Sequence, residues 1–254
     1  MTGLTSVVLF DSASYLIAGV MIFLISWIPE ITPKKSEIIG AFTTWSSMWR
    51  EWASGIKIST KSRPIAVVFI AVIIAMLGEG IIQALLVLFV KLLGGGAMEF
   101  GWLLILRGLG GLLGGLIFGR IGTTVQPHRI FPWTLAGMGL LLLVMVNNPV
   151  LVLALILLCL IGILAIGANV TSTTMLQNSA PNDYLGRIFG LLGMTSGLMI
   201  LLGQGLASAF ADRLGVVVLL NIAAGLYFLS GLIPLVMLKN MPGSGNDKTE
   251  FGKI

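Results

Sequence analysis

Residues 65–90 read IAVVFIAVIIAMLGEGIIQALLVLFV. The run is apolar from end to end apart from Glu79 and Gln83. At 1.5 Å per residue it is long enough, as a helix, to cross a hydrocarbon layer about 30 Å thick. A charge at that depth costs at least about 2.5–3.5 kcal/mol, so it is rarely kept without a use. Working outward, similar runs occupy 4–28, 100–119, 130–146, 149–176, 188–210 and 214–238. One of these, 100–119, carries a second buried charge, Arg107. The pattern predicts an all-α membrane protein with seven transmembrane helices. A single helix (1–29) comes first, then a polar linker (30–64), a six-helix bundle (65–238) and a polar tail (239–254).

Composition supports that solvent. Hydrophobic residues make up 57% of the chain and charged residues 10%, against about 25% charged in an ordinary soluble domain. The net charge of +5 is therefore no nucleic-acid footprint, because the Lys and Arg residues fall in the connections between spans. Lys34, Lys35, Arg50, Lys57, Lys61, Arg63, Arg120, Arg129, Arg187, Lys239, Lys248 and Lys253 share one side, and only Lys91 and Arg213 lie on the other. The positive-inside rule then places the N-terminus outside and the C-terminus in the cytoplasm, as an odd number of spans requires. The N-terminal run lacks a basic flank, and Asp11, Ser12 and Ser14 interrupt it, so it does not read as a signal peptide. A chain that starts this way is expected to be part of a longer protein. Cys159, the single cysteine, reads as a small core residue.

Trp45, Trp49, Trp52 and Ile56 recur at helical spacing in the linker, which predicts a helix lying in the headgroup layer. Later connections are expected to be tight: Leu92–Glu99 with Gly94-Gly95-Gly96, Gly122–Arg129, Asn147-Asn148-Pro149, Gln177–Arg187 and Ala211–Gly215. The spans are rich in glycine. One contains Gly110, Gly111, Gly114, Gly115 and Gly119, including Gly111-xxx-Gly115-xxx-Gly119, and another Gly193-xxx-Gly197, then Gly203 and Gly205; small residues at this spacing let helix backbones approach closely in lipid.

Glu79 and Gln83 are four apart and share a helix face. Glu79 lies about 17 Å from the outer end of its run, and Arg107 about 12 Å from the start of the next. Two antiparallel neighbours joined by a short turn bring these charges to similar depths, which predicts an ion pair. Two readings stand: a structural pair, or a carboxylate that takes up a proton or attracts a cationic substrate. Asp11 ranks below Glu79 because it is closer to water. Asn169, Thr171, Ser172, Thr173, Thr174 and Gln177 cluster in the fifth span, Gln204 sits in the sixth and Asn221 in the seventh. Such groups are expected mainly as interhelical bonds worth about 0.6 kcal/mol each. The fourth span has no ionisable residue and is expected at the periphery, facing lipid. Chemistry is poorly provided for: the single histidine, His128, falls in a loop, which excludes HExxH, a Ser-His dyad and multi-histidine metal sites, and no Walker loop is present. Neither an enzyme nor a cofactor is expected.

At 115–122 the sequence GLIFGRIG resembles, in degenerate form, the G-x-L-A-D-R-x-G-R-R loop of the major facilitator superfamily. Gly119 stands where that loop has its acidic residue, and Thr123 and Thr124 replace the basic pair. The run 180–190, APNDYLGRIFG, resembles the P-x-x-x-x-G-R loop of the same superfamily. Phe10–Leu16 is similar to the sixth helix of its drug- and siderophore-efflux branch, and Trp52–Ile56 with Arg63-Pro64 to that branch's central linker. The resemblance implies the sixth to twelfth helices of a twelve-helix transporter in the plasma or inner membrane, built from inverted three-helix repeats. It implies alternating-access efflux of amphiphilic small molecules coupled to protons, that is, antiport. By the same token Glu79, Arg107, Gln83, Asn169, Asp11 and Gln204 would line the substrate and proton pathway. Gly115, Gly119, Arg120, Gly122, Gly186 and Arg187 would form gating loops. The alternatives are a truncated, non-transporting membrane protein or scaffold and, more distantly, a seven-helix receptor. The last span has no lysine for a retinal Schiff base, and one cysteine cannot form an internal disulfide.

Overall fold

The computed structural model of the chain describes residues 2–25, 63–121, 126–180 and 182–238. All regular structure among them is helical: α1 (Thr2–Ile25), α2 (Arg63–Leu92), α3 (Ala97–Ile121), α4 (Pro127–Val146), α5 (Leu151–Ser179), α6 (Asn182–Leu214) and α7 (Val216–Met237). Helix is forced on such sequences in lipid, where every backbone N–H and C=O must find its partner within the segment. The six helices α2–α7 are long and apolar enough to cross a membrane, while the described apolar stretch of α1, Leu9–Leu24, is shorter. α1 belongs to a compact unit of its own, 1–48, and α2–α7 to the other, 49–254. The expected linker helix around Trp45, Trp49 and Trp52, the loop residue Gly122 and the tail 239–254 lie outside the described residues.

Local chemistry sets the helix ends. The chain reverses after α2 through Gly94, whose φ of 76° favours glycine. Glu99 then accepts a bond from the Gly96 N–H at 2.7 Å, closing the first turn of α3. Pro127 opens α4, where its missing N–H would have had no helical partner. Gly215, at φ 83°, separates α6 from α7. The polar run 177–187, expected as a loop, is mostly helix: α5 continues to Ser179 and α6 begins at Asn182. Gly186 and Arg187 therefore sit in the first turns of α6, and Arg187 lies over the Tyr184 ring at 5.9 Å.

Successive helices joined by a few residues must reverse direction, so α5–α7 run opposite to α2–α4. Packing follows the same two triplets. α2 packs on α6 and α3 on α5; α2 packs on α7 and α4 on α5; α4 packs on α7 and α2 on α5. Each contact is matched by its counterpart when the triplets are exchanged, which is the arrangement of an inverted repeat. Glycines mark the crossings in equivalent pairs. A Cβ on Gly80 would strike the Ile200 carbonyl of α6, and one on Gly203 the Leu77 carbonyl of α2. In the other triplet pairing, Gly162 meets the Arg107 carbonyl of α3 and Gly110 that of Cys159 on α5. At the third crossing Gly139 meets Ala224 and Phe228, and Gly231 meets Pro132 and Ala136.

Three expectations are corrected here. On α3 the packed glycines are Gly110 and Gly114, while Gly115 and Gly119 face open space and Gly111 touches only the Ile166 side chain. On α6 the close contact is at Gly203, and Gly193 and Gly197 are open. α4, which has no ionisable residue after Arg129, is not peripheral. It is among the most buried helices, with Phe131, Leu135, Met138, Leu142 and Met145 in the core, and shows outward only a stripe that includes Trp133, Leu140 and Val144. The two open helices are α3 and α6, each 17% buried along its apolar span, against 61% for α2. Finally, the hydroxyl cluster on α5 does not bond across helices: Thr171, Ser172 and Thr174 each donate to a carbonyl of their own helix. The expected interhelical bonds are made by the amides: Asn221 with Asn147, joined by two bonds of 2.6 and 3.2 Å, and Gln204 with Gln83.

Candidate functional site

Near the middle of α2, Glu79 is 8% exposed in an otherwise apolar environment. The surrounding helices satisfy both its oxygens. Arg107 Nη2 of α3 donates to Oε1 at 2.7 Å, and the Tyr227 hydroxyl of α7 donates to Oε2 at 2.7 Å. Gln83 Nε2, one turn along α2, donates to Oε1 at 3.2 Å, and Gln204 Nε2 of α6 donates in turn to Gln83 Oε1 at 3.3 Å. Four helices thus meet in one polar chain, which satisfies the rule that buried charge is tolerated only when paired and hydrogen-bonded. The predicted ion pair is present, but its setting differs from the expectation. α2 and α3 make little contact along their lengths, so Arg107 reaches over a sparse interface to find its partner.

The cluster has an inside and an outside. Glu79 and Tyr227 are buried, the Arg107 side chain is 29% exposed, and Gln83 is exposed. The carboxylate therefore communicates with the open side of the bundle through Gln83 and Arg107. Glu79 can hold a negative charge against the guanidinium.

The repeat shows how one-sided this arrangement is. If the glycine crossings are used to superimpose the triplets, Glu79 falls on Ile161, Arg107 on Ile200 and Tyr227 on Leu135. The second triplet keeps the frame and has an apolar residue at all three charged or polar places. Packing alone is therefore met by aliphatic side chains at these crossings, and the cluster on α2, α3 and α7 is a departure from what the frame needs.

The other predicted residues are dispersed. Asn169 is exposed on α5, and no bond links its side chain to the cluster. Asp11 is exposed on α1, where Ser14 Oγ donates to its backbone carbonyl at 2.7 Å, and it belongs to the separate unit. Gly115, Gly119 and Arg120 lie exposed at the end of α3, and Gly186 and Arg187 at the start of α6. Sequence reasoning missed Tyr227. The available signal was its position: a tyrosine in a membrane span must bring its hydroxyl to an acceptor when buried, and Glu79 is the carboxylate near the middle of a span among α2–α7.

A polytopic helical bundle that holds a paired charge near its middle is the architecture of a membrane transporter. The sequence model of the Major Facilitator Superfamily matches residues 68–253, and the chain belongs to that superfamily. No curated protein and no solved structure matches the chain.

Proposed function

We propose that α2–α7 acts as one half of an alternating-access carrier that exports amphiphilic small molecules in exchange for protons. In this reading a second six-helix half covers the open faces of α3 and α6, with the substrate passing between the halves near Glu79. The observation that carries it is the polar chain itself: a buried carboxylate bound by Arg107, Tyr227 and Gln83 at a place where the sister triplet has isoleucine.

The cycle follows from that geometry. With Glu79 ionised, Arg107 is held and the bridge between α2 and α3 is closed. A proton arriving through the Gln83 side neutralises the carboxylate, the ion pair loses its Coulombic part, and Arg107 is freed toward the open side. Since α2 and α3 have little other contact, this pair is the element whose making and breaking changes how the two helices sit. A substrate with a cationic group competes with Arg107 for the ionised carboxylate, so proton and substrate occupy Glu79 in turn. The distribution of Lys and Arg supports an N-terminus outside and a C-terminus in the cytoplasm.

The test is Glu79→Gln in the complete carrier, reconstituted in vesicles and assayed for pH-gradient-driven movement of a fluorescent amphiphilic cation. Gradient-driven transport is expected to vanish while the protein still inserts. Transport by the variant at the parent rate across the same gradient would refute the proton role.

A further inference from the structure

At the end of the bundle that carries Arg120, Arg129 and Arg187, α4 begins beside the end of α7. Between them lies a groove of about 650 Å³, lined by His128, Arg129, Pro132, Trp133, Pro234 and Val236 among others. None of the residues of the Glu79 cluster lines it, and the carrier cycle does not need it. Its floor is fixed by the α4–α7 crossing, where Gly231 closes against the Pro132 carbonyl. One rim is basic. His128, expected in a loop, lies in the first turn of α4 next to the exposed Arg129, which forms no ion pair among the described residues. The other wall is apolar and uncovered: Trp133 is 67% exposed and Val236 77% exposed.

We propose that this groove binds an anionic phospholipid, its phosphate against Arg129 and His128 and an acyl chain along Trp133, Pro132 and Val236. The charge on the rim selects an anion, and the apolar wall requires one with a hydrocarbon tail. Trp133 is two turns into a span, about 9 Å from the start of α4, the depth at which headgroup gives way to acyl chain. Basic pockets between helices at this face take lipid headgroups for the same reason. A free phosphate would satisfy Arg129 and leave Trp133 and Val236 exposed.

The experiment is native mass spectrometry of the purified full chain, titrated with phosphatidylglycerol or with phosphatidylcholine of identical acyl chains. The expected result is tighter retention of phosphatidylglycerol. Arg129→Ala should weaken it about five-fold, the effect of one basic residue at an anionic lipid surface. Arg129→Lys should restore most of the preference, and Arg213→Ala, at the opposite end of the bundle, should leave it unchanged. Trp133→Ala should shorten retention of both lipids. The proposal fails if the two lipids bind equally, if Arg129→Ala has no effect, or if millimolar inorganic phosphate displaces phosphatidylglycerol completely, which would make the groove a simple anion site.

Discussion

Removing Arg107 isolates the energetic role of the ion pair without any assumption about transport. In Arg107→Leu the Glu79 carboxylate, 8% exposed in the parent, keeps two donors, Tyr227 and Gln83, but loses its counter-charge. Breaking a buried pair by deleting one partner costs about 3–5 kcal/mol. The Arg107 side chain is 29% exposed, so the lower end, about 3 kcal/mol, applies. Glu79→Gln leaves the guanidinium without its carboxylate and should cost about 1–3 kcal/mol, the value of a lost charged hydrogen bond. In the double variant no uncompensated charge remains, and the cost should fall to about 1–2 kcal/mol of imperfect hydrogen bonding. The double variant should therefore be more stable than Arg107→Leu alone, with a coupling of about 2 kcal/mol or more. Unfolding the purified chain in mixed micelles with a denaturing detergent, followed by circular dichroism, gives all four values. Additivity within about 0.5 kcal/mol would show that the two side chains are energetically independent, and the argument from burial would be wrong.

Tyr227→Phe keeps the packing and deletes the donor to Glu79 Oε2, so the same unfolding assay should show a loss of about 1.5–3 kcal/mol, the range for a hydrogen bond to a charged group; no change would mean that the hydroxyl is not engaged. Gly203→Val should prevent α6 from seating on α2, because its Cβ meets the Leu77 carbonyl, whereas Gly115→Ala, in open space, should express and unfold like the parent; equal behaviour of the two would contradict the crossings described above. Asn147→Ala and Asn221→Ala should each cost about 0.6 kcal/mol and the pair together little more than one alone, since they bond to each other; simple addition would rule out the mutual bond. The chain alone should not drive efflux from vesicles and should gain it when co-reconstituted with a complementary six-helix half; robust efflux by purified monomers would overturn the half-carrier reading.

The spans were legible in the sequence because lipid leaves the backbone no alternative to helix, and a charge inside an apolar run announces itself. The Glu79–Arg107 pair was legible for the same reason: two opposite charges at equal depth in consecutive helices have few other places to go. Which face each helix packs was not legible. Apart from Glu99, Arg107 and Arg120, α3 is apolar all round, so no hydrophobic stripe points to the core. It also carries two interleaved glycine series, Gly110 with Gly114 and Gly111 with Gly115 and Gly119, and only the neighbour chosen by α5 decides between them. The burial of α4 was hidden similarly, since the apolar run after Arg129 suits both lipid and a lipid-like core. The hydroxyls of Thr171, Ser172 and Thr174 looked like interhelical glue because sequence does not show that a helical carbonyl one turn back is already within reach. Tyr227 was missed because its partner lies far off in sequence, and only the pairing of α2 with α7 brings them together.

A frame that duplicates itself upside down has two ways of leaning that would be equal in energy if both copies were alike. Placing glutamate, arginine and tyrosine in one copy, against isoleucine, isoleucine and leucine in the other, breaks that tie. The two copies therefore differ in polarity at equivalent crossings even though their glycines pack alike.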